Sequence, residues 1–90
     1  MHENKVRLTV QTLSGTFEDE FNVHQKLQHV IDKTFHALHI KPAEGEVWEL
    51  RYNDQVLVPN RTIEEAHIPD GAVLKLAPHE GGGGKRWTRP

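Results

Sequence analysis

The chain has 90 residues, 36% of them hydrophobic and none of them cysteine, which suits one small domain and excludes disulfides, Cys-zinc sites and thiol nucleophiles. Eleven Lys and Arg against 13 Asp and Glu leave a net charge of -2 with the signs mixed along the chain, which speaks against the basic surface a nucleic-acid binder needs. Met1-His2-Glu3-Asn4 carries no apolar signal core and no apolar run reaches membrane-spanning length, so a cytoplasmic protein without membrane partners is expected.

The first predicted element is a strand with one buried face, in which Val6, Leu8 and Val10 alternate with Arg7, Thr9 and Gln11. Leu13-Ser14-Gly15-Thr16 reads as a hairpin loop with Gly15 at positive φ. Phe17, Phe21 and Val23 mark the inner face of a second strand. Asp19 shares their parity, which places it at an edge or bulge where an inward charge discourages pairing with another sheet. From His24 the period changes: Leu27, Val30, Ile31, Thr34, Phe35 and Leu38 follow helical spacing. Lys41-Pro42 is the predicted stop.

Trp48, Leu50 and Tyr52 share one parity of the next strand, and Val47, Glu49 and Arg51 the other. Asn53-Asp54-Gln55 reads as a turn, and Val56-Leu57-Val58 as a short strand ended by Pro59. Thr62-Ile63-Glu64-Glu65 has the pattern of a capping box opening one or two helical turns. Pro69-Asp70-Gly71 is a turn, and Ala72, Leu74 and Leu76 line a last strand closed by Pro78. The order β-β-α-β-β-short helix-β predicts an α+β domain, one mixed sheet packed on one helix.

Four glycines, Gly81 to Gly84, follow this domain and precede Lys85-Arg86-Trp87-Thr88-Arg89-Pro90. Residues 1–80 are therefore expected to form the domain and 81–90 a flexible tail. Glycine has no Cβ and fills no core, so such a run is either a tether or a thin segment meant for a narrow groove in another protein.

The element order and the glycine end resemble ubiquitin and its relatives, the β-grasp fold. The likeness covers residues 5–84. It is best carried by Leu50-Arg51-Tyr52, Leu57, Arg61-Thr62-Ile63, Ile68, Leu74, Leu76 and the glycines. Val47-Trp48-Glu49-Leu50-Arg51, the turn after it and the glycine-rich end are similar to bacterial ubiquitin-like modifiers. That resemblance implies operon partners: an E1-like activating enzyme, an E2-like conjugating enzyme and a processing peptidase, in systems that include antiphage defence.

What the resemblance implies for chemistry is specific. The activating enzyme adenylates a terminal glycine carboxylate with ATP and Mg²⁺, a cysteine of that enzyme takes the acyl group, and an amine or hydroxyl of a target protein receives it. The modifier is the acyl substrate, not an enzyme, and needs no cofactor of its own. Residues 85–90 make this chain a precursor, to be cut within or just after Gly81, Gly82, Gly83 and Gly84, with the bond between Gly84 and Lys85 favoured. Lys85-Arg86-Trp87 is either a handle for the peptidase or an arbitrary leaving peptide. A monomer is expected.

One departure bears on recognition. Where ubiquitin exposes an isoleucine in the third strand, this chain has Arg51, and Arg7 and Lys75 are expected to flank it as a cationic partner-binding face. Such a face does not suit receptors that bury aliphatic surface. Two other functions stay open: a sulfur carrier of the same fold, and a binding module that uses the Arg7, Arg51 and Lys75 face without conjugation.

Seven histidines do not make a metal site. His29 and His36 lie on the wet side of the helix, no H-E-x-x-H motif occurs, and zinc needs three or four convergent ligands. His67 and His79 read as surface residues. Ser14, the single serine, lies in a turn without a nucleophile elbow. Glu18, Asp19 and Glu20 are split between faces by strand alternation. Lys5, Lys26, Lys33, Lys41 and Lys75 are candidate acceptors for another copy, and the sequence does not rank them.

Overall fold

The computed structural model describes residues 4–79. Strands β1 (Lys5–Thr12) and β2 (Gly15–Asn22) form a hairpin, α1 (Leu27–Leu38) follows, and β3 (Trp48–Tyr52), β4 (Gln55–Val56) and β5 (Val73–Pro78) complete one mixed sheet. The strand order is β2-β1-β5-β3-β4. β1 and β5 run parallel in the centre, and every other pair is antiparallel.

The period-2 pattern sets the core. Val6, Leu8 and Val10 of β1, Leu50 of β3, and Leu74 and Leu76 of β5 point from the sheet toward α1, which answers with Leu27, Val30 and Ile31. Leu8, Val10, Leu27, Val30, Leu50 and Leu74 have no exposed surface. Burial of such side chains, at roughly 1.5–3 kcal/mol each, is the main force holding helix to sheet. Thr34 is buried in this interface because its hydroxyl donates to the Val30 carbonyl at 2.8 Å, which satisfies the polar group inside the helix.

Local chemistry explains the hairpin. Gly15 takes φ 137°, pairs with Thr12, and leaves Leu13 and Ser14 as the turn. The β1–β2 register runs unbroken from Lys5↔Asn22 to Thr12↔Gly15. Asp19 is therefore an edge position and not a bulge. Its carboxylate faces α1 and meets Lys33 Nζ at 3.0 Å. The Glu20 amide, donating to Asp19 Oδ1 at 2.8 Å, and then the Lys33 ammonium hold this carboxyl below its ordinary value.

The helix ends earlier than Pro42. His39 adopts φ 58° and the Ile40 amide reaches back to the Phe35 carbonyl at 2.9 Å, the left-handed cap that closes a helix by its own backbone. At the other end Lys26 gives no side-chain cap. The Leu27 and Gln28 amides instead donate to the carbonyls of Arg61 and Pro59, at 2.8 and 2.9 Å. The helix thus draws its cap from a segment more than thirty residues away.

Two expectations are corrected in this region. The strand expected at 56–58 is Gln55–Val56, because Asn53 and Asp54 both take positive φ, 51° and 67°. They form a two-residue hairpin turn that pairs Gln55 with Tyr52. Beyond Leu57, whose amide still reaches the Leu50 carbonyl, the chain leaves the sheet to serve α1. The predicted short helix is present only as turns. Its capping box forms in full: Thr62 N to Glu65 Oε1 at 2.9 Å and Glu65 N to Thr62 Oγ1 at 3.0 Å. His67 at φ 58° then ends it, with the Ile68 amide donating to the Ile63 carbonyl. Thr62→Ala is expected to lower stability by about 1 kcal/mol, read as an earlier denaturant midpoint with unchanged slope. An unchanged midpoint would mean that the reciprocal bonds add nothing.

Candidate functional site

Two features meet at one end of the central strand. β5 terminates at Pro78, and the polar face of β3 and β5 lies beside that end. On β3, alternation turns Glu49 and Arg51 away from α1. Their partners across the β3–β5 ladder are Ala77 and Lys75. Arg51 and Lys75 are thus direct neighbours, as expected from the sequence. Together with Glu49, Ala77, Pro78 and His79 they line an open cleft of about 370 Å³.

Arg7 is elsewhere. The residue of β1 opposite Lys75 is Gln11, four positions from Arg7, or roughly 13 Å along a strand. Arg7 lies 3.9 Å from Glu18. Its backbone is tied to the Pro69-Asp70-Gly71 turn: the Arg7 amide donates to Asp70 Oδ1 and the Gly71 amide to the Arg7 carbonyl, each at 2.7 Å. The flanking of Arg51 on both sides by Arg7 and Lys75 does not hold, because β5 inserts between β1 and β3 with a register that brings Gln11 to that row. The cationic face is Arg51 and Lys75, with Val73 half-exposed nearby.

Arg51 is not a lone cation either. Its Nη2 meets Glu49 Oε1 at 3.0 Å, and the second carboxylate oxygen, Oε2, meets His79 Nδ1. The Glu49 side chain is 19% exposed. Partial desolvation raises its carboxyl, but the hydrogen bonds from Arg51 and His79 outweigh that effect and leave it below its ordinary value. His79 is also held by its backbone, with its amide donating to the Val47 carbonyl at 2.6 Å.

The sequence reading missed Glu49 and His79. Alternation does place Glu49 beside Arg51 on one face, which was a usable signal. His79 is 30 residues from Glu49, and only the β3–β5 register brings them together.

Gly81 to Gly84 and residues 85–90 lie outside the described residues. Trp48 packs edge-on against Phe35 at 5.1 Å, in keeping with a role in packing. Lys26 and Lys33 are hydrogen-bonded to Asn60 and Asp19. Among the described residues no group of three or more His, Asp or Glu is arranged to hold a metal ion, and no helix is long and apolar enough to cross a membrane.

Comparison with solved structures identifies the fold as ubiquitin-like. A de novo designed protein based on ubiquitin superposes with a TM-score of 0.73 at 21% identity, covering 93% of this chain and 100% of that one. A structure described as molecular mimicry of SUMO that promotes DNA repair gives 0.75 at 15% identity, over 86% and 95% of the two chains. The N-terminal ubiquitin-like domain in the 4931431F19Rik protein gives 0.67 at 14% identity, over 93% and 84%. No family model and no curated protein matches the sequence.

Proposed function

We propose that this protein is the precursor of a ubiquitin-like modifier, trimmed by a peptidase to a C-terminal glycine and then joined to target proteins by an activating and a conjugating enzyme. The observation that carries the reading is positional. The central strand of a ubiquitin-like sheet ends at Pro78, and the glycine run begins three residues later. The glycines therefore follow the domain directly, as the acyl end of a modifier must. The protein contributes the glycine carboxylate, with no Cβ beside it; the partner enzymes contribute ATP, Mg²⁺ and the cysteine nucleophile.

Before trimming, the Gly84 carbonyl belongs to an amide with Lys85 and offers no carboxylate to adenylate. Hydrolysis of that amide releases the peptide 85–90 and leaves the acid. Adenylation expels pyrophosphate, and transfer to cysteine expels AMP. Similarity to bacterial modifiers suggests that the enzymes are encoded nearby and that antiphage defence is the setting. A non-conjugated binding role has one observation in its favour, the cleft beside Arg51 and Lys75, which suits an acidic partner side chain.

The direct test compares the chain ending at Pro90 with the chain ending at Gly84, each mixed with the activating enzyme, radiolabelled pyrophosphate and ATP. Pyrophosphate exchange from the Gly84 form alone is the expected result. Equal exchange from both forms would refute the need for trimming. Exchange from neither form, together with binding of an acidic partner that survives deletion of residues 81–90, would favour the binding module.

A further inference from the structure

We propose that Glu49 and His79 form a clasp that fixes the direction in which the chain leaves the sheet, making His79 a positioning residue for the glycine segment. The proposal rests on the modifier reading for its purpose, but its structural half stands on the geometry alone.

His79 is the last described residue before Glu80 and the glycines. It is held twice: by its amide to the carbonyl of Val47, the residue just before β3, at 2.6 Å, and by its imidazole Nδ1 to Glu49 Oε2 on β3. Pro78, immediately before it, pairs with Trp48 and has its own φ locked by the pyrrolidine ring. The backbone is thus restrained at residues 78 and 79, and four glycines follow from position 81 in the sequence. His79 therefore sets the direction of the backbone at the point where it leaves β5.

The clasp is also wired to the cationic face. One carboxylate serves both sides, with Oε1 on Arg51 and Oε2 on His79. The titratable groups lining the cleft around the imidazole are Glu49 and Arg51 on β3 and Lys75 on β5. A partner acid that draws Arg51 away leaves Glu49 to His79 and retains the clasp; a partner cation that captures Glu49 opens it. An enzyme that must seat the glycines in a narrow groove meets an exit already aimed. It avoids the entropy of ordering that residue, which is worth about fivefold in apparent affinity.

The test uses the full chain and its Gly84-terminated form. Amide hydrogen exchange by NMR is measured at positions 79 and 80 for the wild type, Glu49→Gln, His79→Ala and His79→Gln. His79→Ala is expected to speed exchange at position 79 about fivefold. His79→Gln, whose side-chain amide can still donate to Glu49, is expected to recover most of the protection. In the wild type, the Glu49 carboxyl lies below its ordinary value when folded. The clasp is therefore present above the ordinary carboxyl range and is lost as pH falls through the folded value, whereas Glu49→Gln shows no such acid step. Unchanged exchange at position 79 in His79→Ala, with the sheet intact, overturns the clasp.

Activating-enzyme kinetics then test the positioning role. A KM about fivefold higher at unchanged kcat is expected for His79→Ala, with rescue by His79→Gln. An unchanged KM overturns positioning. An inactive wild-type Gly84 form tells against the modifier reading itself and removes the positioning role with it, while the exchange measurements still decide the clasp.

Discussion

On the proposed modifier reading, replacement of Gly81, Gly82, Gly83 and Gly84 by leucine is expected to abolish conjugation while leaving the domain folded. The reason is steric. A thin segment lets its backbone approach an adenylate and then a thiolate, and a side chain at each position forces the reacting carbonyl outward. Displacement of about 1 Å from the attacking geometry costs on the order of 100-fold in rate, and four bulky residues compound it. The assay is a conjugate ladder from the pure protein, its activating and conjugating enzymes, the peptidase and ATP. Single replacements divide the roles: the glycine whose substitution blocks release of residues 85–90 marks the trimmed bond, and Gly84 is the expected one. The control is circular dichroism, because β5 ends at Pro78 and no core residue is altered. Undiminished ladders from the four-leucine form would remove the glycines from the chemistry.

Leu50→Ala is expected to be the most damaging change to stability. Leu50 has no exposed surface, pairs with Leu76 on β5, and sits where β3 presses on the helix side of the sheet. Truncation of a buried leucine costs about 2–5 kcal/mol. A small domain has about 5–15 kcal/mol in all, so the loss is a large fraction of the total. At roughly 4–8 °C per kcal/mol for a domain of this size, the thermal midpoint falls by about 10 °C or more. Leu13→Ala is the matched control, since Leu13 is 99% exposed at the hairpin tip; its stability is expected to stay within about 0.5 kcal/mol of the wild type. Equal losses in the two variants would contradict the assigned inner face.

Legibility differed by element. The hairpin and α1 were readable because their signals are local and agree with one another: alternation in β1, glycine at position 15, helical spacing from Leu27 to Leu38. The capping box at Thr62 and Glu65 was readable for the same reason. What failed was continuation. The box predicted helical turns after it, but His67 turns left-handed and Ile68 is needed in the core. The apolar run Val56-Leu57-Val58 predicted a strand that the sheet shortens, because the next residues cap a helix earlier in the chain. Propensity yields where a distant backbone group needs a partner.

The candidate site divides in the same way. The glycine run, the absence of cysteine and the polar parity of Glu49 and Arg51 are properties of the chain itself. So is the ubiquitin-like order of elements, since each element announces its own type. Which strands adjoin was decided only in three dimensions. The insertion of β5 between β1 and β3 joins Lys75 to Arg51, removes Arg7 from their company, and brings His79 to Glu49 across 30 residues. Period and punctuation act over a few residues, whereas register is set by the packing of whole inner faces against one helix. A polar constellation drawn from two strands therefore becomes visible only when that packing is in place.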